Sequence, residues 1–322
     1  MNPPRTLLHA LHDRASKTPD APALWTRRHG YYLPRSWRDY EARVKGLSLG
    51  LMELGLAPGD TLAILSFNRE EWVVGALAAM AAGAVPVGLY EMASPEQMEH
   101  ILAHSRARFV LVEDEDALAT VRAIRPRLKD LLQVLVMDAP EEGGADVRRY
   151  DAVVALGAGQ DDGRYWNRLN ALVPEALAML VYTSGTTGMP RGVMLSHQNL
   201  VWTAQRLVMA AKLEPREIFL SYLPLSHIAE TLGAVCAALL FGFQVYFAES
   251  SEQLGRHLPE VRPTIFFGVP RVWEKLKARL EAGLSELPAR QAARMAWARR
   301  IATDVLTRKL AHERVPGALA AQ

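Results

Sequence analysis

Leu180-Val-Tyr-Thr-Ser-Gly-Thr-Thr-Gly-Met-Pro-Arg-Gly-Val-Met-Leu195 decides how the rest of the chain is read. The apolar run Ala176 to Tyr182 has strand length. It breaks into hydroxyls and glycines from Thr183 to Gly188, and strand character returns at Val193 to Leu195, after Pro190, Arg191 and Gly192. A strand that opens into such a loop offers backbone N–H groups and hydroxyls to a polyanion. Gly185 and Gly188 permit positive φ and close backbone approach. Thr183, Ser184, Thr186 and Thr187 supply hydroxyls, and Arg191 a fixed positive fork. The stretch reads as a phosphate-binding loop. A plain surface hairpin loop is the competing reading. An unbroken run of hydroxyl and glycine residues between strand-like segments, followed by Pro-Arg-Gly, weighs against it. The spacing is not that of G-x-x-x-x-G-K-S/T, because Pro190 and Val193 stand where the second glycine would be needed, five residues after Gly185 and Gly188.

Composition sets bounds. The chain has 322 residues, half of them hydrophobic, enough for one large or two ordinary domains with a sizeable core. A net charge of +2 argues against a dedicated nucleic-acid binder. The single cysteine, Cys236, rules out an intrachain disulfide framework, fits a reducing cytoplasm and, within an apolar run, reads as a buried inert thiol. The N-terminus shows no signal-peptide core. Trp72 to Tyr90 and Thr231 to Ala248 lack charge over about the length of a membrane span, yet Gly83, Pro86 and Gly242 interrupt them. Each reads as a buried helix followed by a buried strand.

Outward from the loop, helix and strand signals alternate. Strands are expected over 61–66, 85–89, 109–112, 134–137, 218–222 and 243–247. Helices are expected over 70–82, with Asn68 as cap, 95–104, 117–128, 196–212, and 227–241, with Ser226 as cap. The rhythm implies an α/β fold built on a mostly parallel sheet. A hairpin and a helix starting at Ser36 precede it. Residues 139–163, rich in Gly, Asp and Glu, read as a surface excursion. Within it Gly157-Ala-Gly159 lacks the third glycine and the leading strand of a dinucleotide loop. A first α/β subdomain is expected over 1–175 and a second over 176–322. The latter ends in helices over 270–280 and 288–312 that are rich in Lys and Arg.

Tyr182-Thr-Ser-Gly-Thr-Thr-Gly-Met-Pro-Arg-Gly-Val resembles the signature loop of the adenylate-forming enzymes: acyl-CoA synthetases, peptide-synthetase adenylation domains and luciferases. Pro58-Gly-Asp, Ile64-Leu-Ser-Phe-Asn68, Gly83-Ala-Val-Pro-Val and Leu223-Pro-Leu-Ser-His-Ile-Ala-Glu230 extend the resemblance over most of the chain. Phe267-Gly-Val-Pro-Arg-Val-Trp-Glu-Lys-Leu most resembles the long-chain acyl-CoA synthetase branch. The family carries Lys where Arg191 stands, and Arg keeps the charge while changing its geometry.

The resemblance implies layered sheets and helices followed by a small C-terminal lid. It also implies a ligase that uses ATP, Mg²⁺ and CoA on a fatty acid. In that reading Thr183, Ser184, Gly185, Thr186, Thr187, Gly188 and Arg191 meet the ATP phosphates. Thr183 or Thr187 either faces Mg²⁺ as well or makes a simple loop hydrogen bond. His227 belongs to the carboxylate or acyl pocket, against a structural histidine as the alternative. Glu230 either pairs with His227 or is an exposed acid in a first helical turn. Phe267, Gly268, Val269 and Pro270 line an acyl tunnel, pack a strand end, or both. The basic face near Lys275, Lys277 and Arg279 reads as solvated, with CoA phosphates or an anionic membrane surface as its other use.

The family's later Tyr-Gly-x-Thr-Glu segment, ribose-binding Asp, hinge and lid lysine have no counterpart in this sequence. The expectation is therefore the N-terminal part of a cytoplasmic ligase, peripheral to the inner membrane face in one version. Alone it should be a poor catalyst, because the positive lid over the reacting phosphate is missing. Two alternatives stand beside it: a non-catalytic protein that binds nucleotide, acyl ligand or a partner, and a ligase for an aryl or medium-chain acid.

Overall fold

A computed structural model describes residues 5–138, 146–183, 188–285 and 287–316. The chain divides into two compact units, Met1–Phe266 and Phe267–Gln322.

Among the described residues the first unit carries these strands: β1 (Pro22–Arg28), β2 (Tyr31–Ser36), β3 (Thr61–Leu65), β4 (Val85–Gly88), β5 (Ala107–Val112), β6 (Gln133–Val136), β7 (Val147–Arg149), β8 (Leu177–Thr183), β9 (Arg191–Ser196), β10 (Ile218–Ser221) and β11 (Gln244–Phe247). The larger sheet has the order β7-β6-β5-β3-β4-β8-β9 and is parallel except for β9. The smaller has the order β10-β11-β1-β2, with only β2 antiparallel.

The central strands are apolar on both faces because both faces are covered. Leu62, Ile64, Phe109 and Leu111 enter one core, while Ala63, Leu65, Val110 and Val112 enter the other. Between the sheets lies helix Glu70–Ala81, every residue of which is buried. It packs against β1 of one sheet and β3 and β4 of the other. The uncharged stretches over 72–90 and 231–248 are thus buried helix followed by buried strand, as expected. No helix among the described residues is long and apolar enough to cross a membrane.

Four local expectations are corrected. The excursion over 139–163 holds regular structure in its second part: β7, then helix Tyr150–Ala158; residues 139–145 lie outside the described residues. That helix crosses helix Trp37–Glu53 closely. A Cβ on Gly157 would stand 1.8 Å from the Gly46 carbonyl oxygen, and one on Gly50 2.1 Å from that of Val153. Gly157, which looks like loop composition, is a contact point between helix backbones. Asn68 does not cap helix Glu70–Ala81; Arg69 occupies that position without a side-chain bond. Ser226 does not cap the next helix either. His227 does, its ring accepting the Ala229 N–H. The helix it starts runs as Ile228–Thr231, a wider π-type turn over Leu232–Ala237, and Ala238–Phe241. Cys236 is buried in that turn.

The division expected at 175/176 falls inside the first unit, where β8 pairs with β4 through Leu180 and Val87. The larger sheet therefore draws strands from both sides of it. In the second unit, helices Pro270–Ser285 and Ala289–Leu310 carry no buried residue.

Candidate functional site

In open α/β sheets, ligands bind outside the carboxyl ends of the strands, where successive connections part. After β4 the chain leads back across β3 to β5, whereas after β8 it turns into β9 on the other side. The two strands are neighbours, so the loop following β8 leaves from such a point. Thr183 closes β8 and faces Arg191, the first residue of β9, across the hairpin. Both are exposed, and Gly188 has φ +150°, a conformation that L side chains rarely adopt. Ser184, Gly185, Thr186 and Thr187 lie outside the described residues. The hairpin stems rest on helix Pro95–His104. His100 Nε2 lies 3.0 Å from the Pro190 carbonyl oxygen, and His104 Nδ1 lies 2.7 Å from the Tyr182 hydroxyl.

The segment Leu223–Glu230 crosses the end of β4. A Cβ on Gly88 would stand 2.6 Å from Ser226 Cα, so glycine is what lets the segment pass. Asn68 holds it. Its amide nitrogen donates to Ser221 Oγ at 2.8 Å and to the Leu223 carbonyl at 2.6 Å, and its oxygen accepts the Leu225 N–H at 3.2 Å. Glu230 completes the cluster. Its Oε1 accepts the Tyr222 N–H at 3.1 Å and faces the Asn68 amide at 3.4 Å. It is only 1% exposed. Burial raises its pKa to about 8, against the opposing pull of the Ser221 hydroxyl and Tyr222 N–H. Glu230 is therefore a buried acid fixed to Asn68, Ser221 and Tyr222, and its side chain does not serve as an exposed first-turn charge. His227 is exposed, with Nδ1 engaged by the Ala229 N–H at 3.2 Å, which leaves the ring hydrogen on Nε2 in the neutral form. Tyr222 stacks on Phe266 at 5.3 Å between ring centroids.

Phe267, Gly268, Val269 and Pro270 open the second unit, where Phe267 and Val269 are exposed. The Gly268 carbonyl accepts the Trp273 indole N–H at 2.9 Å.

A charged crevice of about 500 Å³ lies at the ends of β1, β3, β5, β6 and β11. Arg69 spans it, gripping Asp138 with two nitrogens at 2.6 and 3.0 Å and Glu71 at 2.8 Å. Burial opposes the Arg69 charge, while these carboxylates raise its pKa well above the usual arginine range. Sequence reasoning read Asn68 only as a helix cap and did not assign Ser221, Arg69 or the two histidines. The detectable signal was a histidine pair four apart on an otherwise amphipathic helix.

Among the described residues no cluster of three or more His, Cys, Asp and Glu could hold a metal ion. Thr183 offers one exposed hydroxyl at the hairpin mouth. That suits Mg²⁺ delivered with phosphate oxygens and water, since this ion rarely needs an all-protein cage.

A sequence model of the family described as AMP-binding enzyme matches residues 11–314. The chain belongs to the AMP-binding enzyme family. Long-chain-fatty-acid–CoA ligase ACSBG1 of Bos taurus is 34% identical over 286 residues, which cover 86% of this chain and 39% of the relative. The ligase ACSBG2 of Homo sapiens is 30% identical over 312 residues, covering 95% and 47%. The chain thus spans less than half the length of these curated relatives. The adenylation domain of a Mycobacterium chelonae carboxylate reductase superimposes with a TM-score of 0.77 at 22% identity, over 90% of this chain and 50% of that one. A long-chain-fatty-acid–CoA ligase (FadD1) from Archaeoglobus fulgidus gives 0.73 at 22%, over 87% and 55%. These likenesses show the fold of adenylate-forming enzyme domains.

Proposed function

We propose that the chain is the N-terminal part of an ATP-dependent fatty acid–CoA ligase. The fatty acid carboxylate attacks the α-phosphorus of ATP and expels pyrophosphate, giving acyl-AMP. The CoA thiol then attacks the acyl carbon and releases AMP. The observation that carries this reading is the β8–β9 hairpin, which opens at a switch point between parallel strands with Thr183 and Arg191 at its mouth. Thr183 to Gly188 and Arg191 bind and orient the β- and γ-phosphates, lowering the barrier by positioning and by opposing the charge that develops on the leaving group. Mg²⁺ held with Thr183 would neutralise phosphate charge.

His227, exposed beside the end of β4, belongs to the carboxylate or acyl pocket in this reading. Glu230 anchors that segment from within. Phe267 to Pro270 supply apolar surface for the acyl chain. The reaction takes place in the cytoplasm, peripherally at the inner membrane face, in keeping with a buried free thiol and the basic helices of the second unit. The names of the curated relatives support the long-chain fatty acid as substrate over an aryl or medium-chain acid.

The first test titrates MgATP against thermal stability. A ligand bound by the native state raises the melting temperature, by an amount that grows with ligand concentration over Kd. No shift at saturating MgATP would remove the nucleotide site and leave a protein-interaction role. The second test measures AMP release from a chain extended to the relatives' full length. Release should depend on long-chain fatty acids, and a preference for aromatic acids would refute the substrate assignment.

A further inference from the structure

We infer that His100 and His104 clamp the mouth of the phosphate-binding hairpin and act as positioning residues for ATP. This rests on the reading of that hairpin as a phosphate site. Both histidines belong to helix Pro95–His104, which Ser94 starts with a reciprocal side-chain cap through Gln97. Four residues apart, they share one helix face, and their rings stack at 5.6 Å between centroids with 21° between planes. Each reaches a different stem of the hairpin. A carbonyl oxygen can only accept, so His100 Nε2 carries a hydrogen and donates it to Pro190, the residue before Arg191. His104 Nδ1 bonds the hydroxyl of Tyr182, the residue before Thr183.

The two contacts therefore bracket the Thr183–Arg191 pair from both sides. Tyr182 is itself wedged in place. It is 2% exposed, and a Cβ on Gly192 would stand 3.1 Å from its ring, so glycine lets the ring lie beneath β9. His104 is exposed and His100 only half-buried, so apolar packing does not explain two imidazoles here. Their polar atoms do. One rigid helix fixes the spacing of two strands where the hydroxyl and guanidinium must both face a polyphosphate.

The test compares four variants. His100→Phe and His104→Phe keep a ring for stacking and lose the bond to the stem. His100→Gln and His104→Asn lose the ring and keep a polar atom near the positions of Nε2 and Nδ1. MgATP affinity is measured by calorimetry, ligand-free melting temperature by scanning calorimetry, and amide exchange at Gly192 and Val193 by NMR. Each Phe variant should weaken MgATP binding about five-fold, because the released stem must be ordered on binding, and should lower the ligand-free melting temperature only by the few degrees that one lost hydrogen bond accounts for. The Gln and Asn variants should bind within about two-fold of the parent, since the hydrogen bond is retained. Parent-like affinity in both Phe variants overturns the inference. So does a loss in all four that tracks falling stability. If the parent chain binds no MgATP, the phosphate-site reading fails separately. The exchange rates then decide the clamp: faster exchange in the Phe variants upholds it, and unchanged exchange overturns it.

Discussion

Replacing Glu230 with glutamine should change how stability depends on pH. The carboxyl is 1% exposed, and burial raises its pKa from 4.5 to about 8. An acid whose folded pKa lies above its unfolded value holds its proton more tightly in the native state. That stabilisation is complete below pH 4.5 and is lost as pH rises through 8. Between about pH 6 and about pH 8 the loss comes to about 2 kcal/mol, or on the order of 5 °C in melting temperature for a unit of this size. Glutamine keeps the shape and an oxygen for the Tyr222 N–H but has no proton to lose. His197 has the opposite slope, because burial lowers its pKa to about 4 and its unfolded form gains a proton as pH falls through 6.5. It is present in both proteins and cancels in the comparison. Urea unfolding of parent and E230Q at the two pH values gives the double difference directly. Parallel pH profiles would show that Glu230 ionises alike in folded and unfolded chains, and the buried-acid account would fall.

Gly157→Ala should destabilise the first unit by about 3 kcal/mol, read from denaturant midpoints, because its methyl would meet the Gly46 carbonyl at 1.8 Å. Arg191→Ala should weaken MgATP binding about ten-fold, while Arg191→Lys stays within about three-fold. Neither should move the ligand-free melting temperature, since Arg191 is exposed and makes no ion pair among the described residues. Cys236, buried and with its pKa pushed up to about 12, should resist a thiol reagent in the native protein and react on unfolding.

The strands and helices of the larger sheet were legible because each signal was local. Continuous apolar runs marked strands covered on both sides, and Ser36 and Ser196 marked helix starts that the structure caps through their side chains. What escaped was long-range. Asn68 looks like a cap from its neighbours in sequence, but Ser221, Leu223 and Leu225 engage it from another sheet. Composition marked Gly157 as loop, whereas Gly46 and Gly50 explain it only once two distant helices are seen to cross. At the candidate site, the motif residues were evident from hydroxyl and glycine content. The histidines beneath them gave no comparable signal, because a helix face does not announce which strand it will meet.

The seam between the two sheets has a mechanical consequence. One asparagine side chain joins the end of β3 to the end of β10, and a buried acid reinforces the joint from the helix that follows. Prising the sheets apart there would leave amide and carboxyl groups without partners in an apolar surround, a cost of several kcal/mol. The first unit should therefore behave as a fixed anvil. Rearrangements that accompany the proposed two-step reaction would be carried by whatever strikes against it, while the seam keeps its shape throughout.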